Sequence, residues 1–315
     1  MFMELRQLAY FLAIAEERNF TRAAQRIPIA QPAISQQIGR LESELGERLF
    51  VRDRREIRLT PAGEALLPHA RATLASAEHA RAAVAAVSGL LTGRLACGFV
   101  QPLPDRRLLG LLGAFHREHP GIELRLIEGE TDALLAALAT GELDAALIGL
   151  GRYDRPPPDA ETLLAAREPV VVAVHPDHPL AGRGSIALHA LRDEPMVAFT
   201  SASKQRSNLE AACQAAGFAP RIAAETSDLG VTIDLIQQQL GVAVLPHSAL
   251  AGAAKVTQLR LTRPRLDRRI LLVWHPVNST PAARALLTLA RHHLAGPETA
   301  TRGDPPQCPG QQPEP

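Results

Sequence analysis

The chain has 315 residues, of which 46% are hydrophobic and 21% charged, and this ordinary globular composition argues against general disorder. At about 150 residues per domain, its length suggests two domains or three small ones. The formal net charge is +1, so any nucleic-acid binding must come from a local basic patch. The sequence has no apolar run long enough to span a membrane and no secretory signal, and Cys97, Cys213 and Cys308 are too far apart for a disulfide framework. We therefore expect a cytoplasmic protein with no membrane partner.

The first predicted element is a helix over residues 4–17, where apolar residues recur at helical spacing. Thr21 is a suitable N-cap for a short second helix over residues 22–27. Pro28 would end that helix, because proline disfavours a helical conformation in the residue before it.

A third helix is predicted to begin at Gln31-Pro32, since proline is tolerated in a first helical turn, and to end at Gly46. Its predicted inward face consists of Ala33, Ile34, Ile38, Leu41 and Leu45. A short helix, a tight turn and a longer helix form the layout of a helix-turn-helix, whose second helix enters the major groove of DNA.

The segment 48–58 predicts a two-stranded hairpin, because apolar positions flank a polar turn. It holds five arginines against two carboxylates, a local charge of +3. Amide and hydroxyl groups near the start of the third helix would reach base edges, nearby arginines would bind phosphates, and hairpin arginines would form a wing. The predicted DNA contacts are Thr21, Arg22, Gln31, Pro32, Ser35, Gln36, Arg40, Arg52, Arg54 and Arg55, with Arg26 as a further phosphate contact. The alternative is a plain three-helix core with a solvated charged loop.

Thr60-Pro61 reads as an N-cap and first-turn proline that open a long helix reaching Ser88, with a kink expected at Pro68. Small and apolar residues along it alternate spacings of four and three, which is typical of a coiled-coil seam. The seam residues are Leu66, Ala70, Thr73, Ala77, Ala80, Val84 and Val87. The seam favours dimerisation through this helix, and packing on the chain's own domain is the alternative.

Gly93 marks a change to alternating strands and helices, which predicts two α/β lobes. The predicted strands cover residues 95–100, 122–128, 145–150, 170–174, 196–199, 221–225, 242–245 and 271–274. The predicted helices cover residues 108–118, 132–140, 208–216, 230–239 and 282–294. The proline-rich tail at 296–315 is predicted to be disordered.

A series of motifs then makes a resemblance specific. The N-terminal motifs are Leu5-Arg6-Gln7-Leu8, Asn19-Phe20-Thr21-Arg22-Ala23-Ala24, Ala30-Gln31-Pro32-Ala33-Ile34-Ser35-Gln36-Gln37-Ile38, Leu49-Phe50 with Arg52, and Leu59-Thr60-Pro61-Ala62-Gly63. Later motifs are Glu128-Gly129 with Thr131, Gly141-Glu142-Leu143-Asp144, His178-Pro179-Leu180-Ala181 and Gly241-Val242-Ala243-Val244-Leu245-Pro246. On these motifs, residues 4–294 resemble the LysR-type transcriptional regulators.

The resemblance implies an α/β protein overall, with an N-terminal winged helix-turn-helix, a linker helix and a two-lobed effector domain resembling type 2 periplasmic binding proteins. It divides the chain into a DNA-binding domain (1–60), a linker and dimerisation helix (61–92) and an effector domain (93–295). Lobe I would cover about 93–162 and 266–295, and lobe II about 163–265. Family members are usually tetramers built from dimers, and they often both activate and self-repress. Ala30 and Gln36 depart from the family, which often has Ser or Thr and Arg at these positions.

The effector is expected between the lobes, near strand ends and helix N-termini that favour anions. Thr131 matches a family position that contacts effectors, and a plain helix N-cap is the alternative role. The second lobe offers a loop of hydroxyls and two cations that would suit a carboxylate or phosphate, and a solvated polar loop is the alternative. The predicted effector contacts are Gln101, Pro102, Thr131, Thr200, Ser201, Lys204, Arg206 and Ser207, and the expected ligand is small and anionic.

The remaining motifs are weak. Gly149-Leu150-Gly151 lacks the third glycine of a dinucleotide loop and reads as a strand-end turn. No catalytic constellation is found, so we predict no enzyme, no cofactor and no metal. The expected partners are double-stranded promoter DNA, a small-molecule effector, further copies of the chain and RNA polymerase. A solute-binding protein and an enzyme are the alternative classes, and selective DNA binding separates the regulator from both.

Overall fold

The computed structural model describes residues 3–27, 29–52, 57–87, 92–103, 106–276 and 279–294. The predicted disordered tail at 296–315 and Pro28 lie outside these residues. In the N-terminal part, three helices precede a two-stranded antiparallel hairpin and a long helix. These elements are α1 (Leu5–Glu17), α2 (Phe20–Arg26), α3 (Gln31–Leu45), β1 (Phe50–Arg52), β2 (Ile57–Leu59) and α4 (Pro61–Val87).

Aromatic and aliphatic side chains from the helices and the hairpin form the N-terminal core. The Phe50 ring lies 5.3 Å from that of Phe11 and 5.9 Å from that of Phe20, measured between centroids. The α3 side chains Ile34, Ile38 and Leu41 are buried in the same core. The hairpin is thereby fixed against α1 and the N-terminal end of α2.

Two details of the sequence prediction were wrong here. The N-cap of α2 is Asn19, whose Oδ1 accepts the backbone N–H groups of Thr21 (2.8 Å) and Arg22 (3.1 Å), so Thr21 lies in the first turn. Leu45 is 42% exposed and does not join the inward face of α3. The prediction at Gly46 is confirmed, since this residue ends α3 in the left-handed conformation with φ of 73°.

The long helix α4 begins as predicted, because the Thr60 hydroxyl accepts the Gly63 N–H at 3.1 Å. Its first turns pack on the N-terminal core through Leu66, Ala70 and Leu74. Pro68 lies inside the helix. The seam thus begins as an intramolecular contact, whereas Val84 near its far end is 74% exposed.

The remaining chain forms mixed strands and helices. In order these are β3 (Gly93–Phe99), α5 (Arg106–Glu118), β4 (Ile122–Glu128), α6 (Thr131–Ala139), β5 (Ala145–Leu150), β6 (Glu161–Val174), β7 (Ser185–Ile186), β8 (Pro195–Phe199), α7 (Lys204–Ala215), β9 (Arg221–Thr226), α8 (Leu229–Gln237), β10 (Ala243–Pro246), β11 (Thr257–Leu261), β12 (Asp267–Trp274) and α9 (Pro281–His293). None of the helices in the described ranges has the length and apolar character needed to cross a bilayer.

Separate cores define two lobes, with one core in lobe I and two in lobe II. Lobe I packs α5, α6 and α9 on strands in the order β4-β3-β5-β12, around Leu95, Phe115 and Val273. Lobe II packs around Val172 and Met196, with β8 and β9 forming a parallel pair. The strand β6 joins them, because its first part pairs with β12 and its last residues pair with β10 and β11.

The predicted element types in this region are confirmed, and the differences have local causes. The predicted strand at 170–174 is the end of a strand that begins at Glu161. The predicted helix at 208–216 begins at Lys204, because Ser203 caps it. The short strands β7 and β11 have no counterpart in the prediction.

Candidate functional sites

The N-terminal half of α3 presents a polar surface opposite its buried side. Gln31, Gln36 and Arg40 are exposed, as is Pro32, while Ser35 is half-buried. The Gln31 amide nitrogen donates to the Ser35 hydroxyl at 3.3 Å, which orders two of the predicted base-reading side chains relative to each other. The structure therefore brings these predicted contacts onto one accessible helix surface.

The arginines around this surface differ in whether their guanidinium groups already pair with acceptors of the same chain. Arg26 forms a 2.6 Å ion pair with Glu16, and the hydrogen bond to Glu16 raises the pKa of the Arg26 guanidinium. Arg22 donates to the Glu17 carbonyl at 2.6 Å. Arg40 forms no ion pair with a carboxylate in the described ranges. Of these arginines, Arg40 is the one best placed to bind a phosphate.

The predicted wing is only partly described. Arg52 is the last residue of β1, and its backbone pairs with Ile57. Arg54 and Arg55 lie outside the described residues.

On the lobe I side of the cleft, the predicted effector residues are tied to neighbouring strands. Gln101 donates through Nε2 to Glu128 at 2.6 Å. The carbonyls of Gln101 and Pro102 both accept hydrogen bonds from the Arg268 guanidinium. Thr131 is buried at the start of α6, and its hydroxyl donates to the Gly149 carbonyl at 3.2 Å. The N-cap alternative for Thr131 is wrong, because the N-cap is Glu130.

On the lobe II side, the predicted anion-binding loop lies between β8 and the first turns of α7. Thr200 is half-buried, Ser201 is exposed, and the exposed Ser207 donates to the Ser203 carbonyl at 3.4 Å. Lys204 pairs with Asp132 of lobe I across the boundary between the lobes, with 3.1 Å between Nζ and the carboxylate. This boundary is called the interlobe seam below. The two predicted halves of the site therefore face each other.

Arg206 does not present a free cation to this cleft, which corrects its predicted role. Its side chain is only 13% exposed and forms ion pairs with Glu210 (2.7 Å) and Glu225 (3.0 Å). It also donates to the Phe199 carbonyl at 3.1 Å. Its partners come from α7 and the neighbouring strands, so it holds lobe II together.

A pocket of about 510 Å³, including its open mouth, lies along the seam between the lobes. Its wall on one side follows the end of β5 and the beginning of β12, and on the other side α7 and β10. It is lined by Gly149, Gly151, Arg152, Tyr153, Val170, Lys204, Gln205, Asn208, Leu209, Val244, Pro246, Leu266, Asp267 and Arg268. Of the predicted effector residues, Lys204 lines it directly.

The two glycines at the end of β5 make room for polar side chains that the sequence prediction missed. A Cβ at Gly149 would lie 2.8 Å from Nε of Arg268, and one at Gly151 would overlap the side-chain oxygen of Asn208. Asp154 ties the same place together, since its carboxylate accepts from the Gly151 N–H (2.9 Å) and from the Asn208 amide (2.5 Å). The available signal is the Gly149-Leu150-Gly151 motif, for which the sequence predicts only a strand-end turn.

A buried ion pair joins two residues that lie opposite each other on the antiparallel strands β6 and β12, near the boundary between the lobes. Arg268 and Glu168 are each about 5% exposed, and Nη1 of the arginine lies 3.2 Å from the carboxylate. Burial lowers the pKa of the Arg268 guanidinium, and the adjacent Glu168 carboxylate opposes that shift. The other Glu168 oxygen accepts the Ser248 N–H at 2.9 Å, so the pair links the Gln101-Pro102 turn to lobe II.

The two described cysteines are packed inside the lobes. Burial raises the pKa of the Cys97 thiol to about 12, with a further contribution from the Asp144 carboxylate. Burial, with a contribution from Glu210, raises the pKa of Cys213 to about 11. Because the thiolate is the reactive form, both positions disfavour redox sensing.

Comparison with known proteins finds a family match for the N-terminal part of the chain and another for the α/β part. Residues 5–64 match the model of the bacterial regulatory helix-turn-helix protein, lysR family, and residues 88–295 match that of the LysR substrate binding domain. The HTH-type transcriptional regulator ShiR of Corynebacterium glutamicum is 35% identical over 91% of this chain and 98% of its own length. A full-length OxyR variant from Pseudomonas aeruginosa superposes with a TM-score of 0.71 at 29% identity, covering 97% of this chain and 100% of that one. Full-length CbnR, solved in complex with its target DNA, gives 0.67 at 26% identity, covering 92% and 100% respectively.

Proposed function

This chain belongs to the LysR family of DNA-binding transcriptional regulators, and from that premise we propose that it reads promoter DNA through the exposed surface of α3. The observation that carries the proposal is the division of α3 into a buried apolar side and an exposed side with Gln31, Gln36 and Arg40. Glutamine can bond an adenine edge with two hydrogen bonds, whereas arginine supplies phosphate affinity. The solved complex of CbnR with its target DNA supports this use of the domain.

Binding to the protein's own upstream intergenic DNA, in the presence of competitor DNA, tests the proposal. We expect nanomolar, sequence-selective binding with two protected patches. Gln31→Ala should relax the preference at one base pair, at a cost of about 1–3 kcal/mol for the preferred base. Arg40→Ala should weaken binding to all sequences alike and lower the salt slope by about 1.

Arg26→Ala is the matched control for the phosphate contact. Because Glu16 and Glu17 already pair with this guanidinium, its removal should change the salt slope less than removal of Arg40 does. Equal slopes for the two variants would contradict the assignment of Arg40.

The effector is proposed to bind between the lobes, beside Thr131, Ser201 and Lys204. Support comes from the pocket on the seam and from the Lys204–Asp132 contact that joins its two sides. The prediction that the effector is an anion rests mainly on Lys204 and Arg206. Both are paired with carboxylates, so neither offers an unmatched charge to an anion. The effector would bind one arrangement of the lobes more tightly than another, and its binding would shift the chain toward that arrangement.

The remaining features follow from the same premise. We propose the domain division 1–60, 61–92 and 93–295, which the two family matches and the separate cores support. Dimerisation through the exposed end of α4, a tetramer of such dimers and contact with RNA polymerase are further parts of the proposal. Bacterial chromosomal DNA lies in the cytoplasm, so the protein is proposed to act there, as a regulator and not as an enzyme.

A further inference from the structure

Two buried side-chain oxygens at the seam between the lobes have no hydrogen-bond donor among the described residues. They are Gln205 Oε1 and Asn208 Oδ1. Both residues lie on α7, and both line the interlobe pocket. A buried acceptor without a donor costs free energy, so it requires an explanation, and a bound ligand is one.

The orientation of the Asn208 amide follows from its neighbours. Its nitrogen donates to the Asp154 carboxylate at 2.5 Å and to the Lys204 carbonyl at 2.8 Å. Both partners accept hydrogen bonds only, so exchanging the amide oxygen and nitrogen would set an oxygen against a carboxylate. The free group of Asn208 is therefore an acceptor.

Two of the three cations that line the pocket, Lys204 and Arg268, are already matched by acceptors. Lys204 pairs with Asp132 at 3.1 Å. Arg268 pairs with Glu168 at 3.2 Å and donates to the Gln101 and Pro102 carbonyls. The third, Arg152, is exposed, so what the enclosed part of the pocket lacks among the described residues is a hydrogen-bond donor for the two oxygens.

The rest of the pocket wall is largely apolar. Val170, Leu209, Val244 and Leu266 line it, together with Tyr153 near β5. Such a surface favours a ligand with an apolar ring or short chain. Side chains at positions i and i+3 of a helix start about 5–6 Å apart, so donors on nearby carbons of one small ring can reach both acceptors.

We propose that the effector is recognised as a hydrogen-bond donor, through Gln205 Oε1 and Asn208 Oδ1. The ligand class is a small molecule with an apolar ring or chain that carries two hydroxyl or amine groups. This inference rests on the proposed function, in which the interlobe pocket holds the effector. Both oxygens are enclosed in the present arrangement, so the ligand enters when the Asp154–Asn208 and Lys204–Asp132 contacts loosen.

The first test needs no ligand. Gln205→Met in the full-length protein removes the unmatched acceptor and keeps the length of the side chain, so the midpoint of thermal unfolding should rise by about 2 °C. Gln214→Met, at an exposed position of the same helix, is the control and should leave the midpoint unchanged. A midpoint for Gln205→Met that is unchanged or lowered overturns the proposal, because Oε1 then has a donor in the folded protein.

The second test compares two probes of one shape, cis-cyclohexane-1,3-diol and its dimethyl ether. At about 10 mM the diol should raise the unfolding midpoint of the wild-type protein by about 2 °C, and the ether, which has no donor, should not. The effect of the diol should disappear in Gln205→Met. Equal effects of diol and ether, or no effect of the diol, overturn the proposal.

DNA binding measured in the same preparations distinguishes a failure of the proposed effector site from a failure of the proposed regulator function. A protein that selects its DNA but fails the probe tests retains the regulator function and loses only the donor-recognising effector site. A protein that passes the probe tests but does not select DNA loses the proposed function instead.

Discussion

Neutralising Glu168 should destabilise the effector domain strongly, because its partner would remain buried with its charge. The Arg268 guanidinium is 3.2 Å from the Glu168 carboxylate, and both residues are about 5% exposed. At an effective dielectric constant near 20, two unit charges at that distance attract by about 5 kcal/mol. Glu168→Gln still offers one oxygen to the arginine, and the Gln101 and Pro102 carbonyls remain, so we expect a loss of about 3–4 kcal/mol in the free energy of unfolding.

Urea unfolding followed by tryptophan fluorescence measures this loss. Trp274 is the only tryptophan, lies on the same strand as Arg268 and is 5% exposed, so its emission reports unfolding of the sheet that holds the ion pair. With a slope of about 2–3 kcal/mol per M, the urea midpoint should fall by about 1–2 M. Glu161→Gln, at an exposed position of β6, the strand that carries Glu168, is the control, with an expected change within about 0.5 kcal/mol.

The double variant Glu168→Leu/Arg268→Met separates the charge from the packing. It leaves no unpaired buried charge and should recover most of the stability lost in Glu168→Gln. The reasoning is refuted if Glu168→Gln changes the midpoint no more than the control does, or if the double variant is as unstable as the two single losses combined.

Three further outcomes follow from the packing. Gly151→Ala would set a methyl group against the Asn208 oxygen, so small-angle scattering should detect a changed lobe arrangement, whereas Gly182→Ala, which has open space, should not alter the profile. Val84→Glu, at a 74% exposed position of the coiled-coil seam of α4, should reduce the oligomeric mass in light scattering, and an unchanged mass would contradict dimerisation through α4. The two buried cysteines, with pKa values of about 12 and about 11, should resist alkylation at neutral pH until the protein is unfolded, and rapid labelling of the native protein at either peptide would contradict their packing role.

The sequence predicts the elements whose pattern is local. The apolar spacing of α3, its proline in the first turn and Gly46 at its end all lie within one short segment, and that helix is found as predicted. The cap of α2 shows the limit of such reasoning, because Asn19 and Thr21 are both good caps and only the backbone geometry distinguishes them. The strand β7 has two residues and pairs with a strand far along the chain, so its own sequence contains no alternating pattern.

The site residues divide in the same way. A sequence shows that Arg206 is a cation near a helix start, but not that Glu225 of another strand neutralises it. Arg268 and Glu168 lie far apart along the chain, and their pairing depends on the register between β6 and β12. Local pattern therefore predicts the polar loop that follows β8, whereas long-range pairing determines which of the cations near the cleft are already neutralised.

The central claim is that this chain reads DNA sequence, and selection of bound fragments from a random duplex library tests it most directly. The account predicts that successive rounds enrich a motif with two related half-sites, bound in the nanomolar range and far more tightly than the starting library at physiological salt. Gln31→Ala should lose the preference at one position of that motif. The account would be contradicted by a library that shows no enrichment and binds only weakly, with an affinity that falls steeply as the salt concentration rises.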